Sequence, residues 1–188
     1  GPDDVCDIKF FNEISKNFIN NNFDAATVLL RINKVKTYWD KGLNFWFQNI
    51  RRAGNTQIVG TPTIFKKNLF KHVKYKINTI GCDDTDISNQ LINKKFKLGV
   101  LNTICNQVNN NKLSDIGTKF YLYGKSDFNY DKLNNKKFTF QKKINTYFHP
   151  LKHFINYLFI ALKEFNFHLI PFIFIFTFHR YRGLIRSK

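Results

Sequence analysis

Only two glutamates occur in the chain, Glu13 near one end and Glu164 near the other, and His179 sits where a long apolar run gives way to Arg180, Tyr181 and Arg182. These residue types are a sufficient set for breaking a ribose–phosphate backbone without a metal or cofactor. Such a reaction needs a base for the 2′-OH proton, an acid for the departing 5′-oxygen, and cations to hold the charge that builds on phosphorus. Glu13 and His179 can divide the acid and base roles, with Arg180 or Arg182 on the phosphate, provided the first helix packs beside the last strand. The same residues also fit a plainer description, in which the histidine ends a strand at a sheet margin.

Charge points the same way. The 188 residues include 30 Lys and Arg against 13 Asp and Glu, a net of +17. A protein so far from neutrality repels itself, and a polyanionic partner relieves that repulsion. The excess is uneven: residues 1–87 carry 13 basic and 9 acidic side chains, residues 88–188 carry 17 and 4. Nucleic acid, and RNA before DNA, is the expected partner. Lys74 and Lys76, with Lys137, Lys142, Lys143 and Lys152, are the expected phosphate contacts. Tyr121 and Tyr123 stand at alternate positions, where they can stack on unpaired bases. Abundant Asn, Lys, Ile, Phe and Tyr with no Met is also what A+T-rich codons produce, which raises Lys whatever the function. The concentration of charge in one half argues against that as the whole cause. Two further readings remain open, a non-catalytic nucleic-acid-binding module and a protein attracted to an anionic membrane or a protein partner.

Other motifs carry less. Residues 45–52, Phe-Trp-Phe-Gln-Asn-Ile-Arg-Arg, resemble the recognition-helix signature of homeodomains. Ile50, however, is inserted before the arginines, and one extra helical residue turns them by about 100° off the reading face. The segment therefore reads as a buried aromatic cluster with Arg51 and Arg52 at the surface. His149 and His153 are four apart, a spacing that can hold a metal, but no Glu or Cys completes the set. Helix capping and surface placement are the expectation there. Cys6, Cys82 and Cys105 have no metal-binding spacing; buried thiols are the default, and Cys6 suits a disulfide to a carrier subunit if the protein is secreted. Gly1-Pro2 has the form of a protease scar, which puts the natural start near Asp3 and leaves open a removed leader. The apolar run 169–178 is about half the length of a membrane span, so no transmembrane segment is expected.

The elements that must position these residues suggest one α+β domain over residues 3–188. Periodicity predicts helices over 4–20, 24–33, 38–52 and 87–109, and strands over 61–65, 69–80, 119–123 and 137–141. Pro150 suits the first turn of a helix carrying Leu151, Phe154, Ile155, Leu158 and Leu162 inward. Residues 172–182, apolar on both faces, read as a C-terminal strand central in a mixed or antiparallel sheet.

Taken together, the basic charge, the A+T-rich composition, the unpaired cysteine, Glu13 and His179 resemble the secreted yeast killer-plasmid toxins that act as tRNA anticodon nucleases. That resemblance implies a toxin-like endoribonuclease acting on tRNA in a target cell, with Glu13 and His179 in the active site.

Overall fold

A computed structural model describes residues 4–5, 7–75, 83–108, 111–134 and 139–186. The fold class is α+β with a mixed sheet, as the sequence suggests, but the strands lie elsewhere in the chain. In order the elements are β1 (Asp4–Val5), α1 (Ile8–Asn20), β2 (Ala25–Ile32), α2 (Tyr38–Ile50), β3 (Gly54–Asn55), β4 (Thr63–Phe65), α3 (Asp83–Asn93), β5 (Leu98–Gln107), α4 (Leu113–Asn134), α5 (Phe140–Lys163) and α6 (Ile170–Ile185). Short 3₁₀ turns cover Lys67–Lys71 and Phe167–Leu169. Among the described residues no helix is long and apolar enough to cross a membrane.

The chain forms two compact units, the first drawn from Gly1–Lys36, Asn44–Asn78 and Asp83–Asn110, the second from Thr37–Leu43, Thr79–Cys82 and Asn111–Lys188. The first holds the sheet. Its spine is the parallel pair β2 and β5, with β4 antiparallel on β2 and both β1 and β3 antiparallel on β5. The segment expected as a helix over 24–33 is the strand β2. Its apolar positions are buried on both faces, so the two-residue alternation that marks a half-exposed strand is missing. The helix expected over 87–109 stops at Asn93, where Lys95 takes a positive φ of 62°, and the chain returns as β5. Leu98, Leu101 and Ile104 mimic helical spacing, while the buried positions Leu101, Thr103 and Cys105 carry the true period of two. Cys105 is a buried thiol in this strand. α1 starts later than expected because Asp7 caps it, its Oδ1 accepting from the Phe10 N–H at 2.7 Å.

The second unit is helical. Residues 119–123 and 172–182, both expected as strands, lie in α4 and α6, and α5 has already begun at Phe140, inside the strand expected over 137–141. Ile116, Phe120 and Phe128 line one face of α4 at helical spacing, and Phe120 packs on Phe172 and Phe176 of α6 with ring centroids 6.2 and 4.9 Å away. Glycines let the two helices touch through their backbones: a Cβ on Gly124 would strike the Arg180 carbonyl, and one on Gly183 the Tyr121 carbonyl. Pro150 lies inside α5, ten residues past its start, where it cannot donate to the carbonyl four residues back. At the next ladder step, the Tyr181 hydroxyl donates to the Tyr147 carbonyl at 2.9 Å and accepts from the Leu151 N–H. A side chain of α6 thus secures α5 beside its proline.

Candidate functional site

The carboxylate, imidazoles and guanidinium that meet in the second unit are only partly those the sequence singles out. Arg180, expected on a phosphate, sends both Nε and Nη2 to one oxygen of Asp127 on α4, at 2.9 and 2.7 Å. The same Nη2 lies 3.4 Å from His149 Nδ1 on α5. His149 Nε2 in turn lies 3.1 Å from His153 Nε2, one turn on. The His153 ring stacks on Tyr157 at 5.9 Å, one turn further. Three helices therefore supply a connected row: Asp127, Arg180, His149, His153, Tyr157.

Where Arg180 Nη2 donates to His149, the donors order the protons along the row. A guanidinium only donates, so His149 accepts at Nδ1 and carries its proton on Nε2. That N–H faces His153 Nε2, which must accept and keep its own proton on Nδ1. The two facing nitrogens then hold one proton between them, since a second would set two N–H donors head to head. The environment agrees. Burial, then the charges of His149 and Arg180, lower the His153 pKa from 6.5 to about 4. Burial pushes the Tyr157 hydroxyl up to about 12. His149 is the exposed member of the pair and His153 the half-buried one. The row thus offers solvent one imidazole, backed by a neutral second imidazole and a fixed cation.

The remaining expected residues are not members of this row. Glu13 is exposed on α1 in the first unit, whereas His179 is on α6 in the second. The His179 ring packs over Gly117 of α4, and burial, with Arg182 nearby, lowers its pKa. Arg182 is exposed on α6. Lys74 does not lie on a strand. It follows a 3₁₀ turn, and its backbone N–H and C=O bond to the Gln90 side-chain amide at 3.2 and 2.9 Å. Lys76, Lys137, Cys6 and Cys82 lie outside the described residues, as does the side chain of Lys142. Lys143 and Lys152 are exposed on α5. Tyr121 and Tyr123 are half-buried on a helix, about 200° apart around its axis, so they form no flat stacking face. Phe45, Trp46 and Phe47 are buried as expected. Arg51 is a correction: it is half-buried, and its Nη1 donates to the Thr27 hydroxyl at 2.9 Å and the Val28 carbonyl at 3.0 Å.

The His149–His153 spacing is plain in the sequence, where helix capping and surface placement are expected; His153 is instead half-buried inside α5. Asp127 and Tyr157 went unremarked. The available signal was His149, His153 and Tyr157 at intervals of four, visible once α5 is allowed to run through Pro150. Among the described residues no group of three or more His, Cys, Asp or Glu side chains is placed to hold a metal ion; at Asp127 the guanidinium occupies the carboxylate. No protein-family model, curated protein or solved structure matches the chain.

Proposed function

We propose that this protein binds RNA and cleaves it without a metal, using the His149–His153 pair as the proton-transfer group and Arg180 as the phosphate cation. The observation that carries the reading is the pair of imidazoles 3.1 Å apart beside a guanidinium held in place by Asp127. Two such rings sharing one proton present both an accepting and a donating nitrogen near neutral pH, which is the combination general acid–base catalysis uses. In the proposed reaction Arg180 turns its Nη2 from His149 to the phosphate, which frees His149 Nδ1 to take the ribose 2′-OH proton, and the 2′-oxygen bonds to phosphorus. The bond from phosphorus to the 5′-oxygen then breaks, and that oxygen takes a proton from the imidazole pair. The products are a 2′,3′-cyclic phosphate and a 5′-hydroxyl. Arg180 offsets the charge on the non-bridging oxygens. The net charge of +17 supplies the long-range attraction. tRNA is the proposed target class, on the resemblance to the anticodon nucleases.

Incubation with total tRNA in EDTA tests this. Discrete fragments from the parent protein, absent from His149→Ala and His153→Gln variants and retained by Glu13→Ala, support the imidazole pair. Loss of fragments only in Glu13→Ala and His179→Ala returns the site to those two residues. Tight, salt-sensitive binding with no fragments at all replaces the nuclease with a binding module, the second reading that the charge supports.

A further inference from the structure

The second unit is apolar on its outside as well as its inside. On α5 the buried face is Thr146, Pro150, Tyr157 and Ala161, yet Phe148, Leu151, Ile155, Phe159 and Leu162 are exposed on the opposite side. At 100° per residue those five fall within an arc of about 80°. α6 repeats the pattern, with Phe174, Phe178 and Ile185 exposed within about 40°. The α6 stripe reaches α5 beside its own, where the Phe174 ring meets that of the half-buried Phe154 at 4.8 Å. Phe159 and Phe178 are 67% and 65% exposed. An apolar surface of this extent marks a docking face.

The turn between the helices gives an independent sign. Asn166 N–H bonds to the Ala161 carbonyl at 2.8 Å and Phe165 N–H to the Leu162 carbonyl at 3.2 Å, which is the helix-closing motif that ordinarily has glycine at the left-handed position. Here Phe165 occupies it at φ 55° and is 80% exposed. A bulky side chain in that conformation is strained, and no burial within the chain compensates for it.

Charge identifies the occupant. Lys152 and Lys163 border the α5 stripe on one side, and Arg182 borders that of α6. Residues 111–188 carry fourteen Lys and Arg against four Asp and Glu. Lysine is depleted at protein–protein interfaces, whereas cations flanking an aromatic and aliphatic stripe suit the headgroup layer of an anionic bilayer. We infer that α5, the Phe165 turn and α6 together form a surface that lies in the interface of an anionic membrane, without spanning it. This does not depend on the RNA reading and uses residues outside the imidazole row.

Flotation of the protein with vesicles tests it, comparing phosphatidylcholine alone with phosphatidylcholine containing about 30% phosphatidylserine. The parent should partition onto the anionic vesicles, and less so at high salt. Phe159→Ser with Phe178→Ser should lower that partition about tenfold or more with an unchanged circular dichroism spectrum. Phe165→Gly separates docking from folding, because it should raise the melting temperature while weakening vesicle binding. Equal partition by parent and serine variants, or equal binding to neutral vesicles, overturns the proposal. So does a parent dimer that the serine substitutions dissociate without any effect on lipid, since the face would then belong to a second copy of the chain.

Discussion

Arg180 places two nitrogens on a single oxygen of Asp127, Nε at 2.9 Å and Nη2 at 2.7 Å, and so ties α6 to α4 beside the imidazole pair. The Arg180 side chain is only 11% exposed, against 31% for that of Asp127. Removing the carboxylate would leave a largely buried charge facing His149. Asp127→Ala should therefore destabilise the protein by about 2–3 kcal/mol. Because Arg180→Ala removes the orphaned charge, the double variant should be less destabilised than the sum of the singles, by about 1 kcal/mol or more. Urea unfolding of the four proteins measures this directly. Strict additivity would mean that the two side chains do not act together.

His153 makes stability depend on pH in a known direction. Its folded pKa is lowered from 6.5 to about 4 by burial and by the neighbouring charges of His149, Arg180 and Lys152, against an opposing pull from Asp127. Between those two values the unfolded chain binds the more protons, so stability rises with pH across the window. The full benefit is present above about pH 6.5 and is lost as the pH falls toward 4. The loss should be about 1–2 kcal/mol, less than the bare shift implies because solvent reaches and screens the ring. His153→Phe keeps an aromatic ring against Tyr157 and should flatten the curve in that window. If parent and variant fall equally, another group is responsible.

Gly124 sets the distance between the helices that carry Asp127 and Arg180. Alanine there would normally strengthen a helix by up to about 1 kcal/mol. Its Cβ would instead strike the backbone carbonyl of Arg180, which cannot rotate away as a side chain can. Gly124→Ala should cost about 1–3 kcal/mol and abolish any proton-transfer activity of the row, because the guanidinium moves with its helix. Comparing thermal melts with the RNA-cleavage assay separates the two effects. A variant that is more stable than the parent would contradict the close packing.

Those glycines also explain what could be read from the sequence and what could not. The α+β class was legible, as were α1, α2 and β4, because their apolar spacing or turn residues are local signals. The helix α4 was not, since its packing ridge passes through Gly117 and Gly124, which add no apolar mark at the four-residue interval. Tyr121 and Tyr123 then left an apparent alternation that read as a strand. α6 was misread for a different reason. Phe172, Phe174, Phe176 and Phe178 supply a period of two, and the helix is apolar on its outer face as well as its packed one, so no polar side remained to reveal a period of 3.6. Of the imidazole row, His149, His153 and Arg180 drew notice separately. Their convergence depends on α5 continuing past Pro150, which Tyr181 assists from another helix and which no local rule anticipates.

Arg51 supplies the last prediction, in the first unit. Its segment resembles a DNA-reading helix in sequence, but its guanidinium turns inward. It donates to the Thr27 hydroxyl and the Val28 carbonyl on β2, and both Nη1 and Nη2 reach the Thr61 carbonyl at 3.3 Å. Its charge also opposes the upward push that burial and Asp83 exert on the Asp84 carboxyl. The side chain thus links α2, β2 and the loop before β4. Arg51→Ala should remove about 2 kcal/mol or more of stability, because it strips a charged donor from the buried Thr27 hydroxyl and Val28 carbonyl at once. Arg52 is exposed, and Arg52→Ala should change stability by less than about 0.5 kcal/mol. If the arginines instead contacted nucleic acid as their motif suggests, both variants would weaken RNA binding by similar factors and leave the melting temperature unchanged. Melting curves and salt-dependent binding of the two variants, measured side by side, decide between a structural pin and a reading head.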